Sequence, residues 1–331
     1  MNKAIALISG GLDSLLAAKL VQDQGIEVIG VVFVMPFASR DIGKYKKDVQ
    51  TAADDANIPI KFVDISEEFL KIVKGPKYGY GANINPCIDC KILMLRTAKK
   101  IMEKENAKFI VTGEVLGERP MSQNKKSLLK IKKESGLEEC LLRPLSAKLL
   151  EETAPEKEGI VDREKLKDIE GRSRSRQFEL AQKYGITKYF SPAGGCLLTD
   201  GIFTKKLKDL IATNGLKFDN IDLLKYGRHF RLDAETKAVI GRNESENNYL
   251  KELKKPDDLL LRLKGKAGPY GLMRGAASGG NIAKAAALVL SHSKFKHEKE
   301  GTVEFWQAGH EKKTVTVSPL RKDEINSLRI Y

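Results

Sequence analysis

The chain is short of several residue types, and each shortage excludes something. Of 331 residues, four are cysteine, four are histidine and one is tryptophan. Four cysteines at this length argue against the disulfide framework of small secreted domains. His292, His297 and His310 lie in polar context without metal-ligand spacing, so no histidine metal centre is expected. No stretch approaches the roughly eighteen consecutive apolar residues of a membrane-spanning helix. The opening "MNKAIALISGG" lacks signal-peptide architecture, because its apolar run is short and enters a Gly-Gly turn. A soluble cytoplasmic protein with no membrane partner is expected. Acidic residues are also scarce, with 44 Asp and Glu against 58 Lys and Arg, a formal charge of +14. Such an excess suits a polyanion partner through counterion release, although a plain lysine-rich surface carries the same charge.

Enough apolar residues are present, 41% of the chain, for a real core, and the length suggests two domains. The first half alternates. Apolar runs at 3–8, 26–34, 60–65 and 108–112 read as strands, and 12–24, 45–57 and 90–105 read as helices between them. That order predicts an α/β fold with a parallel sheet, whose ligands bind at the carboxyl ends of strands. A Lys-rich hairpin or loop is expected around 124–133, then a strand at 141–145 and helical segments over about 163–184. Residues 201–225 read as a linker helix. From about 226 the texture becomes α+β: "HFRLDAETKAVIG" and "GTVEFWQAGHEKKTVTV" read as hairpins around a helix in "GAASGGNIAKAAALVLSH".

Between the first strand and helix lies Ser9-Gly10-Gly11-Leu12-Asp13-Ser14. Its glycines admit an anion close to the backbone, and the helix N-terminus points free N–H groups at it. Ser9 and Ser14 add hydroxyl donors, and Asp13 is placed to hold Mg2+. The plain alternative is a tight turn with Asp13 and Ser14 as helix caps. The loop lacks the lysine with which ATP-hydrolysing loops grip a γ-phosphate. It resembles the PP-loop ATP pyrophosphatase superfamily, whose signature is S-G-G-x-D-S. That resemblance implies ATP cleavage between the α- and β-phosphates, with AMP attached to a substrate oxygen.

Cys87 and Cys90 in "NPCIDCK" open a helix, where the dipole is expected to lower thiol pKa values. Cys196 follows in "PAGGCLLTD", after a Gly194-Gly195 bend suited to presenting a side chain in a cleft. Three thiolates suit an iron–sulfur cluster with one open iron, 4Fe-4S by that count, able to offer sulfide to an activated carbon. The rival scheme is a persulfide on one cysteine with disulfide resolution. A third cysteine is surplus to it, which favours the cluster. Cys140 reads as inert core.

"TGEVLGERPMSQ" and the later "RPLS" resemble the PP-loop domain of the 4-thiouridine synthetase (tRNA sulfurtransferase) family over about residues 1–200. The resemblance implies that Thr112, Gly113 and Glu114 line the nucleotide or the adenylated base, and that tRNA is the substrate. With a strand expected from residue 3, the family's usual N-terminal RNA-binding domains are expected to be absent, as is a rhodanese-like domain, and Glu118 stands where the family commonly has Gln. Sulfide or a persulfide carrier is the expected sulfur donor. Arg172 and Arg174 are candidate RNA or phosphate contacts.

Residues 226–331, with "GRNESENNYL" before "KPDDLLLRL", resemble the RNA-binding domain of NFACT proteins. That implies a tRNA grip through Arg228, Arg242 and Arg274, with His229 and Asn243 as further candidates. Trp306 reads as core rather than as a stacking platform. The expectation is thus an ATP-dependent tRNA thiolase for which a homodimer is allowed, with domains at 1–200 and 226–331. Two alternatives stay open: a sulfurtransferase or ligase acting on a small molecule, and a tRNA- or ribosome-associated RNA-binding protein with a vestigial nucleotide domain.

Overall fold

A strand that must be covered on both faces reads as an unbroken apolar run, and the first two strands do so. In a computed structural model describing residues 2–190, 196–213 and 215–331, they form β1 (Lys3–Leu7) and β2 (Glu27–Val34). β3 (Ile60–Asp64), β4 (Phe109–Thr112) and β5 (Leu141–Leu142) complete a sheet of order β3-β2-β1-β4-β5. Every pairing is parallel, with Ala4 opposite both Val28 and Phe109. The helices of this unit are α1 (Leu12–Gln22), α2 (Ile42–Asp55), α3 (Ser66–Lys74), α4 (Cys87–Lys104), α5 (Lys125–Glu134), α6 (Ala154–Lys157) and α7 (Ser175–Tyr184). α1 is buried on almost every side, through Leu12, Leu15, Leu16, Ala17, Ala18, Leu20 and Val21, so it is the central helix of the core rather than an amphipathic cover.

The chain forms β1, β2 and β3 outward in one direction, then returns to lay β4 on the other side of β1. Loops leaving β1 and β4 therefore diverge at a topological switch point, where doubly wound sheets leave a crevice.

Two expectations need correcting. Residues 125–134 form a helix, not a hairpin or loop: Asn124 caps it by accepting the Ser127 N–H at 2.9 Å, and Ser127, Leu128 and Ile131 are buried. Lysines crowd its other side and hide that apolar stripe from a composition-based reading. Helix is also less extensive over 163–184, being a single 3-10 turn at Arg163–Lys165 and then α7 from Ser175. Between them the chain is pinned in loop form, with the Ser146 hydroxyl donating to the Ile169 carbonyl at 2.7 Å.

Compact packing divides the chain at Thr199 and Asp200. The second unit contains α8 (Gly201–Ala212), α9 (Phe218–Leu224), α10 (Glu244–Glu252), α11 (Gly279–Ser291) and α12 (Lys322–Leu328). Residues expected to be a linker helix are thus two helices of this unit. The buried Lys206 ammonium donates to the Leu224 and Gly227 carbonyls at 3.0 and 3.1 Å, tying α8 to the end of α9.

Its sheet comprises β6 (Arg228–Arg231), β7 (Lys237–Ile240), β8 (Leu259–Leu263), β9 (Gly271–Arg274), β10 (Gly301–Trp306) and β11 (Lys313–Val317). All pairings are antiparallel, in the order β11-β10-β8-β9-β7-β6. Alternation sends Phe230, Ala238, Leu259, Leu261, Met273 and Val303 against α11. The opposite face places Val239, Leu260 and Leu272 under Leu223 of α9 and Leu250 of α10.

Arg274 holds this unit together. Its guanidinium bonds the buried Asp258 carboxylate at 2.6 and 2.9 Å, the Asn220 side chain at 2.8 Å and the Leu253 carbonyl at 3.1 Å. Removing one partner of a buried pair costs about 3–5 kcal/mol. Arg274→Leu is therefore expected to lower the unfolding free energy of the second unit by that amount, read as a fall in its urea midpoint.

Candidate functional site

The loop after β1 is a small hydroxyl-lined turn. Ser14 Oγ donates to the Gly11 carbonyl at 2.8 Å and accepts the Ser9 N–H at 3.2 Å. Gly11 caps α1 with no side-chain bond, leaving the helix start open to an anion. Gly10 has φ of +76°, and a Cβ there would lie 2.5 Å from the Phe190 ring. Phe190 also donates its N–H to the Gly10 carbonyl at 2.8 Å. A residue 180 positions away therefore closes the loop from behind. Nothing in the local pattern announced Phe190.

Asp13 stands at the mouth. Its Oδ2 meets the Arg174 guanidinium at 3.1 Å, and the same guanidinium bonds Glu118. Burial pushes the Asp13 carboxyl up, as does the Glu118 charge, and Arg174 offsets them only in part. Gln177 lies beside Asp13, and its buried side chain helps to offset the desolvation of that carboxyl. Arg174 thus sits against the loop after β1 and is engaged with carboxylates, whereas Arg172 is exposed.

From β4 come Thr112, Gly113 and Glu114. Gly113 lies flat on the first loop: a Cβ would sit 2.5 Å from Asp13 and Ser14 backbone atoms. Glu114, which could have been a solvated loop carboxylate, is buried. It accepts from Arg143 at 2.9 Å and Thr112 at 3.1 Å, and Lys91 is 3.9 Å away. Burial alone would raise this carboxyl, but the Arg143 and Lys91 charges and two hydrogen bonds outweigh it and hold it low. Ser146 Oγ accepts the Leu116 N–H at 2.9 Å. The "RPLS" block therefore clamps the β4 loop through its first and last residues, a role its apolar strand context concealed.

Glu114→Gln leaves Arg143 charged and only 5% exposed, at an expected cost of about 3–5 kcal/mol. The Glu114 carboxyl lies below its ordinary 4.5, so its stabilisation is complete above that pH and lost as acid protonates the folded state. The stability gap between wild type and E114Q, measured by urea titration, should close on acidification from neutral pH.

The thiols gather beside these loops. α4 begins at Cys87, and Asp89 within it accepts the Lys77 and Tyr78 N–H groups at 3.0 Å each, folding the preceding loop over the helix start. Cys196 is held from two sides: the Leu197 N–H reaches the Phe37 carbonyl at 3.0 Å, and Asn83 bonds the Thr199 carbonyl at 2.8 Å. Cys87 and Cys90 each feel Lys91, while Cys90 feels the charges of Cys196 and Cys87, and Cys196 that of Cys87. The exposed Arg119 acts on Asp13, Cys87 and Cys196 together. The expected lowering by the helix dipole is overturned. Burial pushes Cys90 up to about 12 and Cys196 to about 11, and raises Cys87. Among the described residues, no three His, Cys, Asp or Glu side chains surround a point able to hold one metal ion. Gly194 and Gly195 lie outside the described residues.

In the second unit the arginine candidates bond groups of the protein itself, and Arg242 remains exposed. Arg274 is a structural clamp, as described. Arg228 donates to the Gly241 carbonyl at 3.3 Å, and Arg242 to that of Gly227 at 3.0 Å. His229 is wholly buried rather than on the hairpin surface, its Nε2 2.7 Å from the Tyr226 carbonyl. Asn243 caps α10 by accepting the Glu246 N–H at 2.9 Å. No helix among the described residues is long and apolar enough to cross a membrane.

Known proteins match the two units separately. Residues 1–158 match the family model for the thiamine biosynthesis protein (ThiI), and residues 227–329 that for the NFACT protein RNA binding domain. Both sequence resemblances are thereby borne out. A tRNA-specific 2-thiouridylase of Syntrophotalea carbinolica is 37% identical over 121 residues, 34% of each chain. A probable tRNA sulfurtransferase of Thermococcus kodakarensis is 34% identical over 121 residues, 35% of this chain and 30% of that one. The chain thus spans about a third of the length of these relatives. A solved 4-thiouridine synthetase–RNA complex with bound ATP is 20% identical, covering 68% of this chain and 52% of that one at a TM-score of 0.36, too loose a superposition to carry an argument.

Proposed function

We propose that the protein is an ATP-dependent tRNA sulfurtransferase that adenylates a uridine carbonyl oxygen and replaces it with sulfur. One observation carries the reading: the loops leaving β1 and β4 meet in backbone contact at Gly113, and Lys91, next to Cys90 on α4, lies 3.9 Å from Glu114 of the second loop. ATP activation and sulfur delivery then share one crevice.

In this reading Ser9, Gly10, Gly11 and Ser14 hold the departing pyrophosphate with hydroxyl and backbone N–H donors. The Asp13 carboxylate, a hard oxygen donor at the mouth of this loop, fits Mg2+. Thr112 and Gly113 shape the wall on which the nucleotide lies, with the buried Glu114 fixing that wall. Arg119 meets negative charge developing on the α-phosphate. The carbonyl oxygen of an unpaired or flipped base attacks that phosphorus, pyrophosphate leaves, and a sulfur nucleophile presented among the three cysteines displaces AMP. The all-thiol donor set of Cys87, Cys90 and Cys196 fits an iron–sulfur cluster, which when bound supplies an iron open to sulfide. The second unit grips the tRNA.

The test combines anaerobic purification, iron and acid-labile sulfide analysis, and nucleoside mass spectrometry of tRNA from a deletion strain. Loss of one thionucleoside, restored by the wild-type gene, supports the reading. A full set of thionucleosides in the deletion strain refutes it. Iron-free protein that still thiolates tRNA replaces the cluster with the persulfide route.

A further inference from the structure

The second unit's sheet is covered unevenly. α9 and α10 sit over Val239, Leu260 and Leu272 on the face away from α11, and Trp306 packs at the border of that cluster. Beyond Trp306 the same face runs onto β10 and β11. Register puts Glu304 opposite both Arg262 and Thr314, and Thr302 opposite Thr316. Thr314 and Thr316 are exposed there, and Trp306 and Tyr270 are half-buried. The two rings meet edge to face, 6.4 Å between centroids at 80°.

Cations surround this pair. The Lys312 ammonium lies 5.2 Å from the Trp306 ring centre and the Arg262 guanidinium 5.7 Å, while Lys251 lies 4.4 Å from that of Tyr270. Arg262 also bonds Glu304 at 2.9 Å and the Tyr270 hydroxyl at 3.3 Å, so the one carboxylate on this stretch of sheet is already neutralised. Lys264, exposed, follows the last residue of the flanking strand β8.

We propose that this open sheet face, centred on Trp306 and Tyr270 and edged by Lys251, Arg262 and Lys312, is a stacking platform for unpaired bases of RNA. It rests on the reading that the second unit grips RNA, and it moves the contact away from Arg228, Arg242 and Arg274. The chemistry is complementary on both counts. Aromatic faces accept any base, and the surrounding ammonium and guanidinium groups take the phosphates between bases. A flat sheet with half-buried rings cannot enter a duplex groove, and paired bases offer it no free face. The occupant is therefore a single-stranded segment, as at a chain end or loop. Arg262 has a second task, since its bonds to Glu304 and Tyr270 hold the edge-to-face geometry before RNA arrives.

Trp306 is the only tryptophan in the chain, so its emission reports this face alone. The full-length protein is titrated with an unstructured, dye-labelled 12-nucleotide RNA and with a blunt duplex of the same sequence. Binding is followed by dye anisotropy, and tryptophan emission is recorded in parallel. Single-stranded RNA should quench the emission, saturating with the anisotropy, while duplex leaves it unchanged. Trp306→Leu should weaken single-strand binding about 10- to 100-fold, and Trp306→Phe, which keeps a ring, should stay within about threefold of wild type. Lys312→Gln should reduce the log–log salt slope by about 0.7. Thermal melting of both Trp306 variants checks that the sheet is intact.

Saturating anisotropy with unchanged emission, equal quenching by duplex, or equal binding by the Leu and Phe variants would each overturn the platform. RNA-stimulated pyrophosphate release, measured on the same samples, separates the two readings: if it persists, the thiolase assignment stands without this surface. Failure of the protein to bind either RNA overturns the platform as well.

Discussion

Gly113→Ala should abolish RNA-stimulated pyrophosphate release, by at least about 100-fold, although it adds one methyl group. Its Cβ would sit 2.5 Å from the Asp13 carbonyl carbon and oxygen and from the Ser14 nitrogen. These are backbone atoms at the start of α1, whose side chains are locked in the core on almost every side. Neither the helix nor the sheet can retreat, so the two loops must part. Overpacking of this kind costs about 1–3 kcal/mol of stability, less than would unfold a typical domain. The protein should therefore remain folded by circular dichroism while losing ATP binding by calorimetry. Gly279→Ala is the control. Its Cβ meets nothing within 4 Å, and both stability and pyrophosphate release should stay near wild type. Normal ATP affinity in the Gly113 variant would mean that the nucleotide does not lie against this contact.

The second large effect separates activation from sulfur transfer. Cys196→Ser should lower thionucleoside formation at least about 10³-fold, the scale seen when a reacting group is removed. RNA-stimulated pyrophosphate release should remain within about threefold, since Ser9, Gly10, Gly11 and Ser14 are untouched. Cys87→Ser should behave alike, because the proposed reaction draws its sulfur nucleophile from the same set of cysteines. Cys140 makes the comparison fair. It packs at the edge of the first unit's core, and Cys140→Ser should change neither readout. Thiolation by the Cys196 variant at the wild-type rate would remove this cysteine from the chemistry.

The parts of this site that could be read from sequence are those made by consecutive residues. Ser9–Ser14 and Thr112–Glu114 each follow a strand and combine glycine with hydroxyl or carboxylate groups, so backbone chemistry alone singles them out. Their mutual contact at Gly113 follows from strand order, because β4 lies beside β1. What stayed hidden was made by distant pairs. Arg143 reads as part of an apolar strand until Glu114, 29 positions earlier, is seen bonded to it. Phe190 looks like an ordinary aromatic until its ring fills the space that glycine at position 10 leaves.

Charge alone does not name an arginine's partner. Arg174 and Arg274 suit phosphate contacts on a basic chain, and in the folded protein both meet buried or half-buried carboxylates. A helix start suggests acidic thiols, but desolvation is the larger effect once Cys90 is enclosed. Trp306 shows the reverse. A lone tryptophan reads as core, and only the sheet register reveals that one side of its strand is left uncovered.

The hydrogen bond from Phe190 to Gly10 also bears on synthesis. The parallel sheet is complete once residue 142 has left the ribosome, but its nucleotide loop is closed by a residue 48 positions later. A nascent chain therefore has a period in which the strands of the sheet exist and the turn after β1 still lacks the residue that closes it.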